Sequence, residues 1–382
     1  MCVCSRFAKT LFFGGLCFIP CFGDDRIQKT PGTILEVHNT KALKHESEDK
    51  KRGRYDWGPS VMYDGGLYRM WWVRLGGTNQ KRFPYATTLP NGQRFEFTYP
   101  DWGDRIYYAE SRDGHKWRIS GKDYIGSNEE YGPDTEGPLM VLGPAETDQE
   151  RNHIGCPSVI KVDGKYYLYY EAASEFVVTL KPDGQVTVGN EYHNQIFVAI
   201  SEDGRNWKRY PNDDEPQPIV RAPIENKRRG RQRYGLGQPS VFYRSNSFVM
   251  HYVDSCTGPG DFIVRIEADN PFFANAKKFP RSLKSKSVAG RIPSGAVARF
   301  AQTDVKFLGN MLYLLRPAYQ TGNLGILADR IGGFGADTNA VHPKDVFPQI
   351  RVTDSRGVRY LERLFPRFLT NPEGQILEQD GK

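Results

Sequence analysis

HIGCPSVIKVDGKYYLYYEAA, the stretch from His153 to Ala173, decides how this chain is read. It opens on small residues ending in Pro157-Ser158, runs through an apolar strand to Asp163-Gly164, and returns as the aromatic run Tyr166 to Tyr170. Asp-Gly between two β-prone runs signals a tight hairpin, because glycine accepts the positive φ that such turns require. The unit recurs. Gly58-Pro59-Ser60-Val61 leads through Asp64-Gly65-Gly66 to Tyr68–Trp72, and Gln238-Pro239-Ser240-Val241 leads through Ser245-Asn246 to Phe248–Tyr252. A degenerate copy sets Val305-Lys306-Phe307 before Gly309-Asn310 and Met311–Leu315. In two copies a second hairpin follows, built on Ser111-Arg112-Asp113-Gly114-His115-Lys116-Trp117 and Ser201-Glu202-Asp203-Gly204-Arg205-Asn206-Trp207. After the third copy, Asp261–Ile266 reads as a third strand without that turn. Two hairpins make a four-stranded antiparallel sheet, and repeated sheets with no helix between them predict an all-β propeller.

Connection lengths say which face of such a ring carries function. The turns inside each hairpin are short, whereas Arg74–Asp104, Glu171–Asn194, Asp254–Gly260, Arg118–Asn152 and Lys208–Gly237 are long. In a meander all the tight turns fall on one face and all the long connections on the other, and long loops on a rigid scaffold are where function is carried. The starts of inner strands place Asp56, Trp57, His153, Cys156, Gln238 and Gln302 at the mouth on that face. The ends of second strands place Arg74, Glu171, Asp254 and Arg316 there.

The 382 residues divide into three parts. Met1–Gly23 has a basic start at Arg6 and Lys9, an apolar run from Leu11 to Phe22 and small residues before a cut, as an export signal does; that run is too short to span a membrane. Residues 24–54 form a polar leader with one β-like run, Thr33–Val37, suited to closing the ring against the last blade. Residues 55–382 are the propeller, with Gly325–Leu327 and Gln349–Val352 as further strands and Gly357–Leu364 as strand or helix. Three clear units, a degenerate one and this remainder add up to five blades. The formal charge of +7 falls to +5 once Arg6 and Lys9 leave with the signal. Export with so modest a charge argues against a nucleic-acid partner, and the expected location is secreted or periplasmic, with a lipid anchor at Cys21 the lesser alternative. Cys156 and Cys256 are the two cysteines that remain, either as a disulfide or as two buried thiols.

Tandem Pro-Ser-Val…Asp-Gly…aromatic units followed by Ser-x-Asp-Gly-x-x-Trp resemble the five-bladed β-propeller glycoside hydrolases of families 43, 32, 68 and 117, over Tyr55 to Leu315. The resemblance implies carboxylates at the channel mouth acting on a glycan, since glycosidic cleavage needs one group to protonate the leaving oxygen while another attacks or activates water. The family-43 pattern has Asp directly before Pro in the first two blades. This sequence has Gly58 and Cys156 there, and Gln238 in the third. The candidate carboxylates are therefore Asp56 as base, with Glu171 or Asp254 as proton donor; the structural alternatives are a capping Asp and rim ion pairs with Arg74 or Arg316. Asp134 and Glu136 read as an ordinary turn that would also supply an acid.

Candidate substrate contacts are Trp57, His153, Gln238, Arg74 and Arg316, with Trp71, Trp72 and Trp102 as further aromatic platforms. Because Trp71 and Trp72 alternate across their strand, at least one belongs to the core. Trp117 and Trp207 read as structural. No second His or acid stands at ligand spacing from His153, so no metal and no cofactor is expected. The run Lys227-Arg228-Arg229-Gly230-Arg231-Gln232-Arg233 reads as a solvated loop or as a binder of uronic or sulfated glycans. Two rival functions stay open: a carbohydrate-binding propeller that has lost the family acids, and a sialidase-like propeller, given the likeness of Ser111–Trp117 to an Asp-box.

Overall fold

The computed structural model describes residues 56–75, 82–100, 104–112, 117–119, 122–124, 139–143, 145, 150, 153–173, 176–190, 194–222, 235–256, 262–279, 283–284, 296–298, 303–320, 323–333, 350–352 and 367–377. Among them every regular element is a strand. Each repeated sequence unit is the inner hairpin of a sheet. Sheet 1 runs outward as Asp56–Asp64, Leu67–Leu75, Asp104–Ser111 and Trp117–Ile119. Sheet 2 runs His153–Val162, Lys165–Ala173, Gln195–Ser201 and Lys208–Arg209. Sheet 3 runs Leu236–Arg244, Ser247–Asp254, Phe262–Ala268 and Lys277–Lys278. Sheet 4 runs Asp304–Leu308, Met311–Gln320, Asn323–Gly333 and Ile350–Val352. The described residues thus make four antiparallel propeller-type sheets. The expected leader at 24–54, the expected signal at 1–23 and Gly357–Leu364 lie outside the described residues.

The Pro-Ser-Val repeat has a mechanical cause. Ser60 Oγ accepts the amide of Val159, Ser158 Oγ that of Val241, and Ser240 Oγ that of Val305, at 2.9, 2.9 and 3.0 Å. Each serine staples its own inner strand to the inner strand of the next sheet, so the same residue at the same place sets the order 1-2-3-4. Apolar side chains fill the spaces between sheets. Trp71, Val73, Ile106 and Tyr108 of sheet 1 pack on Ile154, Leu168, Tyr170 and Phe197 of sheet 2, and Tyr169 and Val198 of sheet 2 pack on Met250, Tyr252 and Val264 of sheet 3. Phe242, Val249 and Ile263 of sheet 3 meet Val305, Phe307, Leu312 and Leu314 of sheet 4.

The Ser201–Trp207 turn is a buttress, as its place on the tight-turn face leads one to expect. Ser201 Oγ accepts the amide of Gly204, and Asp203 Oδ1 accepts those of Arg205 and Asn206. The turn then docks on sheet 1 through Trp71 Nε1, which donates to Gly204 O at 2.8 Å, with Trp207 edge-on to Trp71.

Two of the long connections are not irregular. Within 76–103 stands the hairpin Arg82–Thr88/Arg94–Pro100, and within 174–194 the hairpin Phe176–Leu180/Val186–Asn190. Their turns carry Asn91-Gly92 and Asp183-Gly184, with Gly92 at φ 83° and Gly184 at φ 82°, the same signal that marks the inner hairpins.

The last described segment, Arg367–Leu377, braces the inner strands. Leu369 and Thr370 pair in parallel with Val61 and Met62 of sheet 1, and Phe368 N donates to Asp304 of sheet 4. Pro372 O accepts Lys161 N of sheet 2, Glu373 O accepts Tyr243 N of sheet 3, and Ile376 N donates to Phe307 O of sheet 4. All four inner strands are therefore tied to one hairpin near their tight-turn ends.

Candidate active site

The mouth is shaped by a repeated irregularity in the first strand of sheets 1 to 3. At Gly58, Cys156 and Gln238, each just before proline, φ is 58°, 47° and 52°. The ladder register shifts at the same place in each sheet. Proline has no N–H to donate and interrupts the ladder, and the bulge absorbs the interruption. Glycine takes the left-handed conformation freely, whereas Cys156 and Gln238 hold it at a cost of about 1–2 kcal/mol each. Strain of this kind, in two non-glycine residues at equivalent points of a mouth, marks a place where backbone direction matters.

What it directs is visible at Gln238, whose amide donates to Glu171 Oε2 at 2.6 Å. Glu171 Oε1 lies 3.3 Å from His153 Nε2, and His153 Nδ1 lies 2.5 Å from Asp104 Oδ2. A chain of polar groups therefore runs from the third strand of sheet 1 through the first two strands of sheet 2 to the first strand of sheet 3. Burial opposes charge on His153, but hydrogen bonds to Asp104 and Glu171 outweigh it and push its pKa up to about 10. Cys156, fully buried, is pushed well above the usual thiol range by burial and by the neighbouring Glu171 carboxylate, so it stays a thiol. Gly155 makes room for the histidine: a Cβ there would stand 2.9 Å from His153 Nε2 and 3.3 Å from Glu171 Oε1.

Register settles how the two acids at strand ends relate. Ser158 opposes Tyr169, and Ser240 opposes His251, so Ala172 is the counterpart of Asp254, and Glu171 is that of Val253. The two acids are offset by one residue, and side chains alternate faces along a strand. Glu171 shares a face with Tyr169, toward sheet 3, whereas Asp254 shares one with Tyr252, toward sheet 2. Both carboxylates thus face the space between the same two sheets, from opposite sides. Asp254 Oδ1 accepts the amide of Cys256 at 2.8 Å.

Of the other expected mouth residues, Asp56 and Arg74 are direct partners across the first two strands of sheet 1, next to Trp57. Arg316 lies one residue beyond the Asp304–Leu315 pair in sheet 4. Trp71 and Trp72 are both fully buried, which meets the expectation that at least one belongs to the core and leaves neither as a sugar platform; Trp71 packs on sheet 2, and Trp72 lies against Tyr107 of its own sheet. Cys156 and Cys256 are separate buried thiols. Gln302, Asp134, Glu136, Trp102 and the basic run 227–233 lie outside the described residues. No group of three or more His, Cys, Asp or Glu among the described residues is arranged to hold a metal ion. Sequence reading missed Asp104, used there only to bound a connection; third strands also start on the mouth side, and that rule would have found it.

No family model and no curated protein matches the chain. Solved structures do. The chain is similar in form to glycoside hydrolases. A family 117 glycoside hydrolase of the marine bacterium Zobellia galactanivorans is 16% identical, with 72% of this chain and 66% of the other covered at a TM-score of 0.43. A family 43 endo-arabinanase of Bacillus licheniformis is 13% identical, covering 79% and 78% at 0.39. A β-1,2-mannobiose phosphorylase of Listeria innocua is 10% identical, covering 78% and 76% at 0.41. Overlaps of this size carry no argument about chemistry, which rests on the mouth residues themselves. Among the described residues no helix is long and apolar enough to cross a membrane.

Proposed function

We propose that this chain is an exported, five-bladed glycoside hydrolase-like propeller acting on a poly- or oligosaccharide through Asp56, Glu171 and Asp254. The observation that supports this reading is that Glu171 and Asp254, 83 residues apart in sequence, lie near the ends of neighbouring second strands on faces turned to the junction of sheets 2 and 3. Opposed carboxylates suit a reaction in which one group donates a proton while positive charge grows at the anomeric carbon. Asp56, at the start of the first inner strand, is the base; Glu171 or Asp254 is the proton donor. Trp57, His153, Gln238, Arg74 and Arg316 would contact sugar, and the basic run 227–233 favours an anionic glycan. The test is release of reducing ends from a panel of arabinans, xylans, fructans and sulfated or uronate glycans. Activity in the wild type that disappears in Asp56→Asn and Asp254→Asn, with circular dichroism unchanged, supports the proposal.

A second reading has its own support. The positions before proline hold Gly58, Cys156 and Gln238, none an acid, which suits a propeller that binds glycan without cleaving it. Calorimetric binding of a glycan that no preparation hydrolyses would select that reading. The sialidase alternative rests on Ser111–Trp117, whose turn, residues 113–116, lies outside the described residues.

A further inference from the structure

We propose that Lys306 and Arg367 form a site for a carboxylate or sulfate on the floor of the channel, beneath the mouth. The anion is either a substituent of a sugar or a free ion. Only the first of these sources rests on the glycosidase reading; the site itself does not.

Arg367 owes its place to the stapling series. Asp304 Oδ2 accepts the amide of Phe368 at 2.9 Å, as Ser240 Oγ accepts that of Val305. At each step the residue just before a stapled one makes the next staple: Ser158 precedes Val159, Ser240 precedes Val241 and Asp304 precedes Val305. Arg367 precedes Phe368, so it follows Ser60, Ser158, Ser240 and Asp304 in the series. Leu369 pairs in parallel with Val61, on a strand that runs from the mouth to the tight turns, so Arg367 lies on the mouth side of the bracing hairpin. Its guanidinium donates to Thr303 O at 2.9 Å.

Lys306 enters the same space from sheet 4. Its Nζ donates to Val241 O of sheet 3 at 2.5 Å and lies 3.4 Å from Ser158 Oγ of sheet 2. A side chain that joins three inner strands reaches them across the space they enclose. The two cations are neighbours. Burial, opposed by Asp304 and aided by the Arg367 charge, pushes the Lys306 ammonium down to about 8, and the same guanidinium opposes the rise of the Cys156 thiol at the mouth of sheet 2.

Two cations drawn out of water side by side disfavour one another and attract an anion. An ammonium has three N–H donors, and among the described residues two acceptors stand within hydrogen-bond distance of Lys306. Asp304 Oδ1, 3.9 Å away, lies beyond that distance and is bonded to Ser240 Oγ. An oxyanion entering from the mouth would take the third N–H and offset both charges. The charged and titratable groups around Lys306 are Asp304 on its own strand, Arg367 of the hairpin, His251 of sheet 3 and, toward sheet 2, Cys156 beside Arg367. His251, with a pKa of about 3, stays neutral near neutrality, and Cys156 stays a thiol. Lys306 is therefore the member of this group that loses its charge as pH rises through 8.

The experiment is calorimetric titration of the full chain with sodium sulfate, glucuronate, galactose 6-sulfate and, as the neutral control, galactose. One anion should bind per chain at about pH 7, and binding should weaken about tenfold or more by about pH 9.5, where Lys306 is mostly uncharged. Lys306→Met should weaken binding at pH 7 by a similar factor. Lys306→Arg should keep binding and remove its pH dependence, since a guanidinium does not titrate there. A wild type that binds none of these anions, or binds them equally at both pH values, overturns the site without recourse to a variant. Loss of sulfate binding in the double variant Arg228→Ala, Arg231→Ala, with Lys306→Met unaffected, places the anion at the basic run and also overturns it. Sulfate bound with both charged sugars refused upholds the site, with a free ion as its ligand. Anion binding that needs Lys306, in a protein that cleaves no glycan, upholds the site and overturns the glycosidase reading. Glycan cleavage with no anion bound does the reverse.

Discussion

Trp71 illustrates how much of this fold rests on single side chains that cross between sheets. Its indole N–H bonds the backbone of Gly204, its ring contacts Tyr108, Tyr166 and Trp207, and a Cβ on Gly204 would stand 3.0 Å from it. Trp71→Ala should therefore destabilise by about 3–5 kcal/mol, the range for a large aromatic truncated in a packed core, in urea unfolding followed by fluorescence. Trp71→Phe keeps most of the packing and loses the hydrogen bond, for a cost of about 1–2 kcal/mol. Ser158 makes a different demand. Its Oγ accepts the buried Val241 amide, so Ser158→Ala leaves that N–H unpaired at a cost of about 1–3 kcal/mol by the same assay, more than the small change in volume would suggest.

At the scale of elements, the hairpin Arg367–Leu377 acts as a common brace. Removing residues 367–382 would strip the amides of Lys161 and Tyr243 of their acceptors and take away Phe368, Leu369 and Ile376, each nearly fully buried. A chain ending at Pro366 is expected to melt without a sharp transition in calorimetry. Phe368→Ala in the full chain should keep cooperativity and lose about 3–5 kcal/mol.

No sequence pattern announces this brace, because its bonds are made by backbone atoms to strands far away in the chain. The inner hairpins were legible because turns such as Asp163-Gly164 and Gly309-Asn310 are local chemistry, and the strands Phe262–Ala268 and Ile350–Val352 fall where residue preference put them. The hairpins at 82–100 and 176–190 carry the same turn signal at Asn91-Gly92 and Asp183-Gly184, hidden only by reading long connections as irregular. Glu171 and Asp254 were legible as acids at strand ends. That both turn to the junction of sheets 2 and 3 was not, since it depends on a one-residue difference in register that only pairing across the bulge fixes. Burial of Trp72 as well as Trp71 likewise depends on what covers the second face of the sheet, which alternation within one strand cannot reveal.

Across the whole molecule, two buried histidines pull stability in opposite directions with pH. His153, held by Asp104 and Glu171, has a folded pKa of about 10, above its unfolded value, so its contribution is complete below pH 6.5 and is lost as pH rises toward 10. His251, on the second strand of sheet 3, stacks on Phe242 and among the described residues has no hydrogen-bond partner at either ring nitrogen. Burial, then Arg265 and Lys306 nearby, push its pKa down to about 3 from 6.5. The folded protein keeps that ring neutral while the unfolded chain takes up a proton below 6.5, so stability falls as pH drops from 6.5 toward 3. Linkage makes each effect on the order of a few kcal/mol at its limit, because a tenfold difference in proton affinity between folded and unfolded chain is worth about 1.4 kcal/mol. Replacing His251 by Leu, close in volume and without a titrating group, should flatten the acid limb of a stability–pH curve measured by urea unfolding. Between pH 7 and 9 it should change little, because His251 is neutral there in both states. Asp104→Asn should act on the opposite limb, lowering stability near neutrality and reducing the further loss above pH 9. If both variants changed the same limb, the two histidines could not hold the different protonation states that their surroundings dictate.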